Sequence, residues 1–338
     1  MAVRATLVLA AGLLAIGAGA GCGGSRHARR PPPPPQPSRS PAPSTTPAGR
    51  VVRIGAAAEG VAVDPRSGIV AVGVRHPDGI DLVDGRTGAL VRRLGVPAPR
   101  HIALAAAGGP FLAAAEHADR LIEVGVPDGR VLARLPTARF PHDALQIGGL
   151  TFVADQLAGG IDVIAGALGL HHVSGPQVPT SLAATAGRLA VVDAATHELV
   201  VDDLITGVQV SRLPAGVGPT HAVADRDGRV YVLDTATGRL LGFSLLDRPA
   251  QEVSVDLGGH PYGVAIDRRR ERLWITDPST DRLVGLALSG VSPRPFVSLP
   301  TVRQPNSVAV DEASGRVFVA GRASGQLELV DPPAGPGG

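Results

Sequence analysis

Between residues 60 and 331, short apolar runs alternate with turns rich in Gly and Asp, and the same order of runs returns about every 40 residues. The openings align as Gly60 to Asp64, His101 to Leu104, Ser181 to Ala184, His221 to Asp225, Gly263 to Asp267 and Ser307 to Asp311, with a weaker copy from His142 to Ile147. Each opening is a short apolar run, commonly closed by Asp, and each is followed by three further runs. Val, Ile and Leu in stretches of roughly 4 to 6 residues between Gly-rich turns predict strands. Helical repeats of the same period would need long amphipathic stretches, and the chain has none.

The first copy gives the local logic. Val61 to Val63 is all apolar, as suits an innermost strand buried on both faces. Asp64-Pro65-Arg66-Ser67-Gly68 supplies turn residues, Ile69 to Val74 and Ile80 to Val83 follow as strands, and Asp84-Gly85-Arg86-Thr87-Gly88 closes a hairpin into Leu90 to Leu94. Four strands per copy, repeated radially, predict an all-β fold: a seven-bladed β-propeller with four-stranded antiparallel blades. The last copy has three strands and then dissolves into Pro332-Pro333-Ala334-Gly335. Val51 to Gly55 resembles the outer strands of other copies, so it is assigned as the missing fourth strand, closing the ring. The repeats therefore occupy 51–333, with a short tail at 334–338.

Ahead of the repeats, Arg4, an apolar run from Ala5 to Ile16 and the small residues Gly17 to Gly21 read as a secretory signal over 1–22, too short for a membrane span. The segment Gly19-Ala20-Gly21-Cys22 resembles a bacterial lipobox, with Gly19 where that family usually has Leu, and implies acylation of Cys22, the one Cys of the chain. The alternative is an ordinary cleaved signal with an incidental thiol. Residues 23–50, dominated by Pro, Ser and Thr, read as a disordered, extended spacer.

Charge divides at this boundary. The first 50 residues hold six Arg and no acid, so the overall pI of about 9.3 describes the leader, and the repeats carry 26 Arg against 30 acids. A mildly acidic domain with 3% aromatic residues lacks the basic patch and stacking platform of a nucleic-acid binder.

The run Pro-x-x-Val-Ala-Val-Asp at Pro305 to Asp311, and its Ile variant at Pro261 to Asp267, resembles the repeats of YVTN-type and NHL-type bacterial β-propellers. There is no Trp-Asp dipeptide of the WD40 kind. The resemblance implies an extracytoplasmic or surface binding protein; similar propellers include lactonases and streptogramin lyases, so binder and enzyme both stay open.

In such a ring the residues entering each innermost strand share one face with the turns between second and third strands. Glu59, Arg100, His142, Thr180, Thr220, Tyr262 and Asn306, with His101, Asp143 and His221 beside them, are polar where the strands they lead into are apolar. They are predicted to ring the solvated mouth of the central channel and to form the ligand site. His101, His142 and His221, with Asp143 and Glu59, are candidate ligands for a divalent metal, although a His at a strand start is more often bonded to a loop carbonyl. Asp193, Asp234 and Asp277 recur as Asp-x-x-Thr and read as turn caps, and Trp274 as packing between blades.

No nucleophile elbow, His-Glu-x-x-His motif, phosphate loop or dinucleotide fingerprint is present. The leading reading is a monomeric, lipid-anchored binding module for an envelope protein, a glycan or a small molecule, with no cofactor beyond a divalent ion. A metal-dependent lyase or lactonase-like hydrolase, using His142 or His221 as general base, comes second, and a structural envelope scaffold third.

Overall fold

The computed structural model describes residues 34–42, 45–166, 169–290 and 292–335. The signal segment 1–22, Cys22, the spacer up to residue 33 and the last three residues lie outside them. Seven four-stranded antiparallel sheets form the blades of a propeller. Blade 1 is Val61–Val63, Ile69–Val74, Gly79–Asp84 and Leu90–Leu94. The innermost strands of blades 2 to 6 are Pro99–Leu104, Pro141–Ile147, Pro179–Thr185, Pro219–Ala224 and Val264–Asp267.

Blade 7 joins the two ends of the chain. Pro305–Val310, Val317–Gly321 and Gln326–Val330 come from the end, and Arg50–Arg53 adds the outer strand, with Val52 opposite Leu327. The closing strand read from Val51 onward is thus in place, and no blade is left with an open seam.

Blades are held face to face by apolar side chains. Ile80 and Leu82 of blade 1 pack with Phe111 and Ile122 of blade 2, all buried. Trp274 of blade 6 sits in a cluster with Val308, Val317 and Val319 of blade 7, its ring edge-on to Phe296 at 5.7 Å. Its packing role between blades is as the sequence indicated. Each such fully buried side chain contributes about 1.5–3 kcal/mol.

Buried acids tie the loops down. The last residue of the second strand is Asp193, Asp234 and Asp277 in blades 4, 5 and 6. Asp193 accepts the amides of Gln177 and Val178 at 2.8 and 3.0 Å, and Asp234 those of Val217 and Gly218 at 3.0 and 2.8 Å, so each carboxylate holds the loop that enters its own blade. Asp234 and Asp277 also accept from Thr237 and Thr280, as a turn cap should, at 2.5 and 2.8 Å. Thr196 makes no such bond; Asp193 caps the amide of Ala195 instead. In blades 1, 3 and 7 an acid in the third strand takes this role: Asp81, Asp162 and Glu328 accept from Gly55, Ala138 and Val302.

The described part of the Pro-rich segment departs from the spacer reading. Ser40 is buried; its hydroxyl bonds to the Pro278 carbonyl at 2.8 Å, and its amide donates to the Gln304 side chain at 2.9 Å. Pro cannot supply backbone donors, so the few Ser residues between prolines provide the hydrogen bonds that fasten this stretch to blades 6 and 7.

Candidate binding site at the channel mouth

A recurring bulge positions the mouth residues. In five blades the pairing of the innermost strand slips just after its opening Pro, at Pro99, Pro141, Pro179, Pro219 and Pro305. The residues left unpaired, one in blades 3, 4 and 7 and two in blades 2 and 5, are polar, and the bulge re-aims their side chains. Gly60 serves the same crowded ring differently: a Cβ there would lie 2.5 Å from the Arg100 carbonyl oxygen. Only a residue without a side chain lets the first two blades approach this closely.

The ring forms, but it is not a solvated rim. Glu59, His142, Thr180, Thr220, Tyr262 and Asn306 are all buried, and Arg100 is mostly covered. Across blades 3 to 6 they build a hydrogen-bonded belt. His142 donates from Nδ1 to the Thr180 carbonyl at 2.8 Å, the Thr180 hydroxyl donates to the Thr220 carbonyl at 3.2 Å, and Thr220 and Thr235 hydroxyls meet at 2.8 Å. Thr235 completes the belt by donating to the Pro261 carbonyl at 2.6 Å. Asp143 adds a second tie, accepting the Leu182 amide of the next blade at 2.9 Å.

Inside this belt the histidines pack edge-on and tilted against one another. The ring of His101 lies 4.5 Å from that of His142 and 5.0 Å from that of His221, and His221 packs edge-on against Tyr262 at 4.6 Å. His101 and His221 face each other through Nε2 at 3.2 Å, and His101 Nδ1 is 3.7 Å from Asp143. Burial, then the neighbouring His101 and Arg100, holds His142 and His221 well below the ordinary histidine range; burial also pushes the Tyr262 phenol up. The pair is therefore neutral at pH 7. Below them a narrow cavity of about 120 Å³ is lined by His101, Asp143, His221 and Asn306. The three histidines do not present a set of ring nitrogens within common metal-ligating reach. Among the described residues that geometry occurs elsewhere, at Asp155, Asp162 and His172.

Across blades 7, 1 and 2 the belt is ionic. Arg75 pairs with Glu116 at 3.0 Å, Arg100 lies between Glu59 and Glu116 at 3.4 and 3.5 Å, and Arg322 reaches Glu59. These five charges line a cavity of about 530 Å³ on the mouth face, with His76, Asp78 and His117 around it. Three guanidiniums face the buried carboxylates of Glu59 and Glu116 and the exposed one of Asp78, and Nε of Arg75 is buried with no partner among the described residues. Such a site has donors to spare for an anion.

Glu59 and Arg100 were legible in the sequence as mouth residues; Arg75, Glu116 and Arg322 were not. They occupy one register position, the residue directly after the second strand of blades 1, 2 and 7. Aligning that position across the repeats would have shown two Arg and one Glu on consecutive blades.

No family model and no curated protein matches the sequence. Solved structures match in shape. A chain of Kuenenia stuttgartiensis hydrazine synthase superposes with a TM-score of 0.67 at 15% identity, covering 81% of this chain and 95% of that one. Virginiamycin B lyase from Staphylococcus aureus gives 0.67 at 12% identity, over 83% and 98%. A chain of the mitotic checkpoint complex gives 0.73 at 13% identity, over 96% and 98%. The likeness shows the fold alone. Proteins as different as a lyase and a part of a checkpoint assembly share it, so chemistry must be argued from the side chains of this chain.

Proposed function

We propose that this chain is a binding module of the YVTN/NHL-like repeat type, exported and lipid-anchored through Cys22, whose ligand carries a carboxylate or phosphate group. The convergence of three guanidiniums in the cavity between blades 7, 1 and 2 carries the reading, with the Nε of Arg75, unpartnered among the described residues, as its sharpest element. Arg forks suit planar or tetrahedral anions, and the cavity of about 530 Å³ has room for a small molecule or for one acidic group of a glycan or protein. The fold supports an interaction module, since it displays loops from all seven blades on one face.

The test is a titration of the purified protein with phosphate, citrate and uronic acids, followed by thermal shift and calorimetry. Saturable binding, weakened about tenfold or more by Arg75→Ala and by Arg322→Ala, a loss of about 1.4 kcal/mol, is the expected result. If no anion binds saturably, or if both variants bind as the parent does, the cavity is a structural ion-pair network and the proposal fails.

A further inference from the structure

The register of the blades isolates one anomaly. Every blade offers two neighbouring places for a loop-holding acid: the end of the second strand, and the third-strand residue that faces the second strand two positions earlier. Those pairs read Val74 and Asp81 in blade 1, Ala115 and Ile122 in blade 2, Asp193 and Val200 in blade 4, Asp234 and Leu241 in blade 5, Asp277 and Val284 in blade 6, and Gly321 and Glu328 in blade 7. None of these six blades carries two acids. Blade 3 carries both, Asp155 and Asp162, and both are fully buried.

Only one of them holds a loop. Asp162 accepts the Ala138 amide at 2.6 Å, whereas among the described residues neither carboxylate oxygen of Asp155 has a hydrogen-bond partner. Two buried carboxylates side by side are costly unless a cation lies between them. The outer strand adds the third element. The residue paired with Asp81 in blade 1 is Arg93, whose guanidinium grips the carboxylate at 2.5 and 2.7 Å. The residue paired with Asp162 is His172, whose Nδ1 lies 2.7 Å from the carboxylate and whose Nε2 lies 2.9 Å from the Gly159 carbonyl. Where blade 1 has a permanent cation, blade 3 has a residue that binds cations.

We propose that Asp155, Asp162 and His172, the last through Nδ1, form a site for a divalent transition-metal ion of the Zn²⁺ class. One ligand atom from each side chain falls within 4.8 Å of the others, which a tetrahedral ion draws together by small side-chain rotations. A dipositive ion balances the two carboxylates. Gly160 (φ +112°) makes room for the imidazole, since a Cβ there would sit 2.9 Å from His172 Nε2. Mixed carboxylate and imidazole ligands favour Zn²⁺ or Mn²⁺ over Mg²⁺ and Ca²⁺. His172 is partly exposed, so an ion can enter from the blade's outer edge. The site is separate from the anion cavity, which belongs to blades 7, 1 and 2.

The test is chelator treatment of the full-length chain, then calorimetric titration with Zn²⁺, with Mg²⁺ as control and metal content measured after desalting. About one Zn²⁺ per chain, a raised melting temperature and no effect of Mg²⁺ are expected. Asp155→Asn and His172→Ala should each weaken Zn²⁺ binding by roughly 100-fold or more, beyond the 10–100-fold of outer-shell changes. The exposed neighbour variant His171→Ala should leave it unchanged. Should Asp155→Asn fail to fold, the partly exposed His172→Ala decides. Absence of Zn²⁺ uptake by the parent, or uptake unaltered in His172→Ala, overturns the proposal.

Discussion

The carboxylate of Glu328, in the third strand of blade 7, accepts the backbone amide of Gly49 at 2.6 Å, just ahead of the strand that closes the ring. Its other oxygen accepts from the Thr301 hydroxyl and the Val302 amide. One fully buried side chain thus ties together the start of the propeller, the loop entering blade 7 and the last strand of the chain.

Replacing Glu328 by Ala strands these three donors in a buried place, and a loss of about 2–3 kcal/mol is expected, with a smaller loss for Glu328→Gln. A chain beginning at Glu59, lacking Arg50–Arg53 altogether, should lose more still, because the edge of Gln326–Val330 is left unpaired. Urea unfolding checks all three. Midpoints equal to the parent's would mean that closure adds nothing to stability.

Acid should loosen the mouth. His142 and His221 stay neutral in the fold because they are buried, and because His101 and Arg100 stand beside them, with Asp143 the carboxylate that faces His101. The unfolded chain takes up protons below about pH 6.5 that the folded chain refuses, so their contribution is fully present above that pH and is lost as pH falls toward the depressed folded values. Each histidine adds a slope of up to about 1.4 kcal/mol per pH unit in that window. Denaturation midpoints measured between pH 7.5 and 5 should fall in the parent and fall less steeply in a His142→Gln, His221→Gln double variant.

The belt makes His142 a structural residue as well as a mouth residue. His142→Ala leaves the Thr180 carbonyl without its donor and opens a void, and roughly 2–4 kcal/mol should be lost, more than a surface change removes. Thr180→Val keeps the volume and removes the hydroxyl that the Thr220 and Val192 carbonyls share, so about 1 kcal/mol is expected. Equal and negligible losses in chemical denaturation would show the belt to be incidental.

In the proposed lipoprotein, anchoring rests on Cys22 alone. Cys22→Ala should move the protein from the membrane fraction to the soluble extracytoplasmic fraction while its melting temperature stays unchanged. Membrane retention of the variant would sink the lipoprotein assignment.

The sequence by itself determined the propeller, its seven blades and the strand that closes it. These depend on local rules, the strand length, the Asp-Gly turn and the period, and the copies state them seven times over. It also marked Glu59, Arg100 and the three histidines as neighbours, because two adjacent register positions in every copy must face one axis. Their burial was decided only by the tertiary structure. Bulges at the opening Pro residues swing polar side chains sideways into the next blade, where the carbonyls of Thr180 and Thr220 accept their hydrogen bonds, so residues polar in sequence became interior. The meeting of Arg75 with Glu116, and of Asp155 with Asp162 and His172, was likewise settled in three dimensions. Those contacts depend on which strand lies beside which and on how far the ring curves, and a pattern of apolar and polar positions along one chain does not encode distances across it.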